Sequence, residues 1–409
     1  MNEKQLKVGI IGGGAAGFFA AISCKQHHPY ADVIILEKSS KILSKVKISG
    51  GGRCNVTNAT YSISELSKNY PRGEKQLKKA FSQFMTTHTK EWFESRGVKL
   101  VTQKDKCIFP EAQDSQVIID CLINEVNKFG ITIKIHTHIE DIIAKEQGYE
   151  LAIRGQKPIV FNKIILASGG QPKMSGLQWL QDLGHKIEPP VPSLFTFNIP
   201  KNPITELMGI VVNPVSVKIP GTKLEDDGPL LITHWGMSGP AILKLSAWGA
   251  RVLKEKNYQF KILVNWLNQK NEEAVRVLIQ TAISDLGGKM IKNTNPFDLP
   301  NRLWIFLLSK YDINEELRWN ELGKKARNKM VQLLYIDEYE VSGKTTFKEE
   351  FVTCGGVSLS DVNIKTMESK ICPGMYFSGE LLDIDGITGG FNFQAAWTTG
   401  FIAGKLGNS

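Results

Sequence analysis

Leu6-Lys7-Val8-Gly9-Ile10-Ile11-Gly12-Gly13-Gly14-Ala15-Ala16-Gly17-Phe18-Phe19-Ala20-Ala21-Ile22-Ser23-Cys24-Lys25 is the stretch whose reading decides the fold. Leu6 to Ile11 is apolar and β-branched like a buried strand, Phe18 to Lys25 is helix-like, and a glycine turn joins them. In such a turn Gly12 permits the tight bend, Gly14 lets the backbone approach a pyrophosphate, and Gly17 allows the helix to pack closely on the strand. Ala15 and Ala16 sit at the helix start, where free N–H groups and the helix dipole favour phosphate. A glycine pattern alone is weak evidence, because such turns occur in many folds. The residues after it decide the matter. Asp32 to Leu36 reads as a second short strand, and Glu37 ends it 20 positions after Gly17, where the motif places an acid for a ribose hydroxyl pair. That carboxylate disfavours a 2′-phosphate, so the site suits FAD or NAD rather than NADP.

Further along, Ile48-Ser49-Gly50-Gly51-Gly52-Arg53-Cys54-Asn55-Val56-Thr57-Asn58 forms a second glycine cluster carrying hydroxyl, amide and guanidinium groups. A loop of this composition can wrap a large cofactor, with Arg53 near phosphate or flavin and Asn55 hydrogen-bonded to it. A tight surface loop is the plainer alternative. Lys38, Lys45, Ser49, Gly50, Gly51 and Cys54 complete the candidate cofactor set in this region. The Cys54 thiol beside Arg53 could have a lowered pKa, but no second cysteine lies near it in sequence for a dithiol cycle, which favours a structural cysteine.

The whole chain is consistent with an enzyme of two or three domains: 409 residues exceed one ordinary core. With 42% hydrophobic and 22% charged residues, the composition is globular rather than disordered. The apolar run Val8 to Cys24 lacks the basic start and cleavage site of a signal peptide, and no stretch reaches the roughly 20 apolar residues of a membrane span, so a cytoplasmic location and no membrane partner are expected. The six cysteines form no CxxC pair, which argues against a zinc site, and no metal is expected. A net charge of +9 raises the question of acidic partners, but lysines such as Lys78, Lys79, Lys324 and Lys325 read as solvated helix faces. Without an aromatic-interleaved basic stripe, no nucleic-acid partner is expected, and the partner is a small-molecule substrate.

The pairing of GGGAAG with ISGGGRCNVTN resembles the bacterial flavoproteins of the YhiN/BaiN-like family, which includes aminoacetone oxidases and bile-acid 4-ene reductases. The resemblance extends through Gly228-Pro229-Leu230-Leu231-Ile232-Thr233-His234-Trp235-Gly236-Met237-Ser238-Gly239-Pro240 and most of the last 60 residues. It implies FAD as the cofactor; with the strand-like runs Leu194 to Ile199, Val211 to Ile219, Gly228 to Thr233 and Tyr258 to Asn265 and the helical periodicity from Lys270 to about Leu334, the expected fold is α/β, a Rossmann-type FAD-binding domain of the glutathione-reductase class, interrupted by a β-rich domain and a small helical subdomain. Ile164 to Ala167 reads as a strand closed by Ser168-Gly169-Gly170, in the manner of the glycine turn of that class. The resemblance places the backbone of Ile139 against adenine. It implies that Glu380 and Asp383, after Gly379, face the ribityl and pyrophosphate region, while Gly390, Phe391 and Asn392 approach the pyrimidine edge of the flavin. A helix N-terminus there has a physical rationale, since N–H donors stabilise the negative charge of reduced flavin.

Pro189-Pro190-Val191-Pro192 marks a boundary, because proline resists helix and central strand alike. The expected division is a first part of the FAD domain over 1–191, a β-rich domain over 192–265, helices over 266–334, a β return over 335–353 and the rest of the FAD domain over 354–409. The insertion is expected to cap the flavin, as domain junctions often form pockets. In its THWGMSGP stretch His234 is a candidate proton donor, and a buried, structurally hydrogen-bonded histidine is the preferred reading, since no adjacent carboxylate orients the ring. The chain departs from its relatives in two places. A Ser-Tyr-Pro segment and glycine-rich loop after the LASGG-type turn are replaced by a shorter run from Gln171 to Trp179, and a Gly-Arg pair is replaced by Leu43-Ser44.

Three functions compete. The first is an NAD(P)H-dependent reductase of a small organic substrate such as an activated C=C bond. With no second GxGxxG, NAD(P)H would bind only transiently over the flavin. The second is an amine oxidase that passes electrons to oxygen. A distant third is a flavin-binding protein with a nucleic-acid or protein partner. The sequence leaves the oligomeric state open.

Overall fold

A computed structural model describes residues 5–345 and 352–408. The chain divides into two units, Met1–Ser193 with Phe347–Ser409, and Leu194–Thr346.

The first unit is built on a seven-stranded sheet in the order Val362–Asn363, Glu368–Ser369, Met375–Phe377, Lys163–Leu166, Lys7–Ile11, Asp32–Leu36, Thr132–Lys134. The last five of these run parallel, with Val8 opposite Lys163 and Val33, and Ile164 opposite Met375. Strands covered on both faces read as near-continuous apolar runs, as Val8–Ile11 and Val33–Leu36 do after the charged first residues Lys7 and Asp32. The strand Met375–Phe377 comes from the far end of the chain, so the sheet is assembled from both termini. The helices Ala15–His27 and Phe391–Gly404 pack against each other closely, as their small residues allow. A Cβ on Gly400 would lie 2.7 Å from the Ala16 carbonyl oxygen, and one on Gly404 2.4 Å from that of Ala20. An antiparallel three-stranded sheet, Ile139–Lys145, Gly148–Ile153 and Ile159–Phe161, lies between the third and fourth parallel strands in sequence.

The proline stretch behaves differently from its expectation. Ile187–Ser193 is a strand, paired antiparallel with Val352–Val357, and its register shifts between Glu188 and Val191. Pro189 and Pro190 occupy that irregularity, where the ladder needs no N–H from them. The division between units falls just after this strand, at Ser193 and Leu194.

The second unit holds an antiparallel seven-stranded sheet that includes Val211–Lys218, Glu225–Thr233, Gln259–Asn265 and Asp337–Ser342. The helices Glu272–Leu286, Asn301–Lys310 and Lys324–Tyr335 lie between the last two of these strands in sequence. Sheet and helices share one continuous apolar core, in which Val264 and Ile262 of the sheet join Trp304 and Leu307 of the helices. Asp337, wholly buried, accepts from Trp266 Nε1 at 2.9 Å and Tyr311 Oη at 3.0 Å and pairs with Lys310, tying a helix to the sheet. The expected β return over 335–353 begins with Asp337–Ser342 and Lys344–Thr345, and residues 346–351 lie outside the described residues. Among the described residues, no helix is long and apolar enough to cross a membrane.

Candidate cofactor site

The fingerprint turn closes against the end of the neighbouring parallel strand. Gly12 has φ +117°, and a Cβ there would lie 2.3 Å from the Ala167 carbonyl oxygen. A Cβ on Gly17 would lie 2.0 Å from the Gly12 carbonyl oxygen, so helix and turn are in direct backbone contact. Gly14 differs: no protein atom comes within 4 Å of the Cβ position, and the space above the helix N-terminus is open. Ala15 and Ala16 form the first turn beneath it, with no acid to repel an anion.

Glu37 is held by backbone donors, Gly13 N–H to Oε2 and Ser39 N–H to Oε1, both 2.8 Å, and each carboxylate oxygen keeps a lone pair for a ribose hydroxyl. It lines a cavity of ≈ 310 Å³ together with Gly12, Lys38, Ile139 and Ser168. The volume lies at the lower end of the roughly 300–1,000 Å³ of small-molecule sites and suits the adenosine part of a dinucleotide. Thr137 and His138, which no motif marks, and Gln171 and Trp179 share this wall. Trp179 and Gln171 belong to the shortened run after Gly170, so that run still borders the dinucleotide pocket.

The second glycine cluster is less a ligand loop than a braced turn. The helix Ser44–Gly52 breaks at Ser49, and Gly50 and Gly51 take left-handed conformations. Leu43, which precedes it, is buried and left-handed (φ +52°), and its N–H donates to the Gly13 carbonyl at 2.8 Å. Ser49 Oγ donates to the Val46 carbonyl. Arg53 lies over the Phe109 ring at 4.4 Å and donates to the Gly50 carbonyl. The Asn55 amide donates to the Thr57 and Ile108 carbonyls and accepts from Gly390 N–H at 3.1 Å. The side chains of Arg53 and Asn55 therefore support the turn, rather than reaching outward to phosphate or flavin. Cys54 is wholly buried, and burial pushes its thiol up to about 12 against a smaller downward pull from Ser49, the opposite of activation by Arg53.

The carboxy-terminal residues meet this turn. Gly379 N–H donates to Thr399 Oγ1 at 2.8 Å, and a Cβ on Gly379 would touch Ala16 of the first helix. Glu380 is bound on one oxygen by Lys45 Nζ at 2.6 Å and on the other by Thr353 N–H at 2.8 Å. Asp383 N–H donates to the Val357 carbonyl. Gly390, left-handed at φ +90°, caps the last helix, and a Cβ on it would lie 2.5 Å from the Thr57 carbonyl oxygen. Phe391 is buried, with its carbonyl accepting from Tyr70 Oη at 2.7 Å. Asn392 closes its side chain on Gly386, accepting from N–H and donating to the carbonyl, both at 2.9 Å. It can therefore offer a ligand only its backbone.

The residues fit FAD on the chemistry they leave unmet. The hydroxyls of Thr353, whose N–H binds Glu380, and of Ser378, two residues before Glu380 in the chain, are buried without a hydrogen-bond partner, and Gly14, Gly51 and Gly169 have open space over the Cβ position. A polyhydroxyl chain joined to a pyrophosphate would satisfy such hydroxyls and N–H groups. His234 belongs to the second unit. It is exposed between the strands Glu225–Thr233 and Gly236–Ser238, with its ring edge-on to Trp235 at 4.0 Å, so the expected structural hydrogen bonding does not account for it.

The profile of a family described as HI0933-like protein Rossmann domain matches residues 6–406. A 3-dehydro-bile acid delta(4,6)-reductase of Clostridium scindens is 28% identical over 98% of this chain and 98% of its own length. A ribosomal RNA dihydrouridine synthase of Escherichia coli is 26% identical over 97% of this chain and 96% of its own. Among solved structures, a 3-ketosteroid-delta4-(5alpha)-dehydrogenase of Rhodococcus jostii superposes with a TM-score of 0.51 at 12% identity, covering 99% of this chain and 98% of that one, a likeness of fold.

Proposed function

The chain belongs to the HI0933-like Rossmann family and is an FAD-dependent oxidoreductase, and on that premise we propose that it is a reductase of a carbon–carbon double bond conjugated with a carbonyl. The observation that carries this reading is the end-to-end likeness to two proteins whose names, a delta(4,6)-reductase and a dihydrouridine synthase, both describe hydrogen added across such a bond. The chemistry that bound, reduced FAD would supply is a hydride for the β-carbon of the conjugated system, with the proton for the α-carbon drawn from solvent.

The chain's own residues bind and orient. Glu37, fixed by Gly13 and Ser39, holds the adenosine ribose, and the open face at Gly14 receives the pyrophosphate. Glu380, aligned by Lys45 and Thr353, takes the ribityl hydroxyls. Asn55 orients Gly390, whose neighbours at the N-terminus of the last helix present N–H groups to the pyrimidine edge. NAD(P)H is the proposed electron donor, bound transiently. The substrate is a small electron-poor alkene. A uracil ring within RNA is the second reading, favoured by the name of the Escherichia coli relative and a net charge of +9.

Anaerobic stopped-flow mixing with NADH or NADPH tests this. Rapid bleaching of the oxidised flavin band, recovered by an electron-poor enone and only slowly by air, is the expected result. Recovery by uridine-containing RNA and not by enones selects the second reading. Failure of NAD(P)H to bleach, with fast recovery in air after chemical reduction, overturns the proposal in favour of an oxidase.

A further inference from the structure

Between Leu382 and Gly390 the chain forms no helix and no strand beyond two isolated bridges, and few backbone hydrogen bonds, Asp383 N–H to Val357 and Ile387 N–H to Asn69 among them, tie this loop to the rest of the fold, so side-chain tethers add to them. One tether stands out chemically. Asp385 is wholly buried, and the Arg72 guanidinium grips its carboxylate two-pronged, Nε to Oδ1 and Nη2 to Oδ2. Ser193 Oγ donates to Oδ2 at 2.7 Å, and Arg72 and Asp385 also pair through their backbones. Burial pushes the Asp385 carboxyl up, and Arg72 and then Ser193 pull it back.

A buried ion pair adds little net stability, since an apolar replacement of similar volume is often as stable. A parallel fork of this kind instead fixes one geometry. Asp385 anchors the loop five residues before Gly390, and Asn392 clamps the same loop from the far side through Gly386. We propose that Arg72 and Asp385 are positioning residues for the flavin: through residues 386–390 they hold the N–H groups at the start of the last helix against its pyrimidine edge, and with Ser193 they keep the charge beside that edge balanced. This rests on the reading of Gly390 to Asn392 as flavin-facing.

Asp385→Asn keeps the shape, loses the negative charge and leaves Arg72 uncompensated. FAD is expected to bind about 10-fold more weakly, the order of one lost charge-assisted hydrogen bond. The midpoint potential of the flavin that remains bound is expected to move positive, because uncompensated positive charge favours reduced flavin. Arg72→Lys, which loses the fork, and Ser193→Ala are expected to weaken FAD binding in the same direction, and they decide the matter if Asp385→Asn does not fold. A merely structural role would lower the melting temperature of the apoprotein and leave the potential of bound flavin unchanged, and that result overturns the proposal. Glu37→Ala, measured alongside, separates the two layers. FAD binding unchanged in Glu37→Ala refutes the cofactor site itself, whereas weakened binding there with an unchanged FAD affinity and potential in Asp385→Asn refutes only the positioning role.

Discussion

Gly14 and Gly17 lie three residues apart in one turn and need to be glycine for different reasons. Gly14 has an extended backbone (φ −93°) that any residue adopts, and no protein atom near its Cβ position. Gly14→Val should therefore change apoprotein stability by no more than about 1 kcal/mol yet abolish FAD retention, because the added side chain fills the pyrophosphate's place. Gly17→Ala drives a methyl onto the Gly12 carbonyl and should destabilise the apoprotein itself by about 1–3 kcal/mol. Thermal melts with and without FAD distinguish the two; Gly14→Val with normal FAD content would contradict this account. At the same scale, the thiols of Cys24, Cys54 and Cys107 are pushed up to about 12 by burial. They stay protonated in the folded chain while unfolded thiols ionise near 9, so their contribution to stability is full below about pH 9 and is lost as pH rises towards 12. Cys54 should resist thiol reagents at pH 8 until the chain is unfolded; labelling of the folded protein at the rate of a free thiol would count against this. The motif residues were legible because their chemistry is local in sequence. The Arg72–Asp385 pair was not, since its partners stand 313 positions apart and neither belongs to a spacing pattern.

Elements with a clean period were equally legible. The strand Gln259–Asn265 buries Phe260, Ile262 and Val264 at alternate positions, and the helix Glu272–Leu286 buries Val275, Ile279 and Ala282 at the spacing of one helical face. Ile187–Ser193 was hidden, because three prolines in seven residues mask a strand that tolerates them only through its irregular register. The short helices Ile63–Ser67, Glu74–Ala80 and Thr86–Glu94 carry no long apolar stripe, so no periodicity marks them in the sequence. Between elements, the contact to test is Asp337, which joins Asn301–Lys310 to the strand Asp337–Ser342. Burial and the adjacent carboxylate push the Tyr311 phenol well above its usual range, so it donates to Asp337 as a neutral hydroxyl. Asp337→Ala strands Lys310 and the Trp266 indole N–H and should cost about 3 kcal/mol in urea unfolding. A loss below 1 kcal/mol, on the order of an exposed pair, would show that the cluster contributes no more than a surface contact.

At the scale of the whole molecule, a strand and a helix from the last 40 residues complete a sheet begun by the first 40, and the candidate site combines the two ends. Glu37 comes from one end and Glu380 from the other, separated by the entire second unit in sequence. The glycine fingerprint announced the first half, whereas the partnership of Lys45 with Glu380 became visible only once the chain was folded. The most direct test is an FAD titration of the apoprotein of wild type, Glu37→Ala and Glu380→Ala, followed by flavin fluorescence. Stoichiometric binding by wild type, weakened about 10-fold or more by each substitution as for a lost hydrogen bond to a charged group, is the predicted result. Wild type without affinity for FAD, or Glu380→Ala binding as tightly as wild type, would contradict a cofactor site assembled from both ends of the chain.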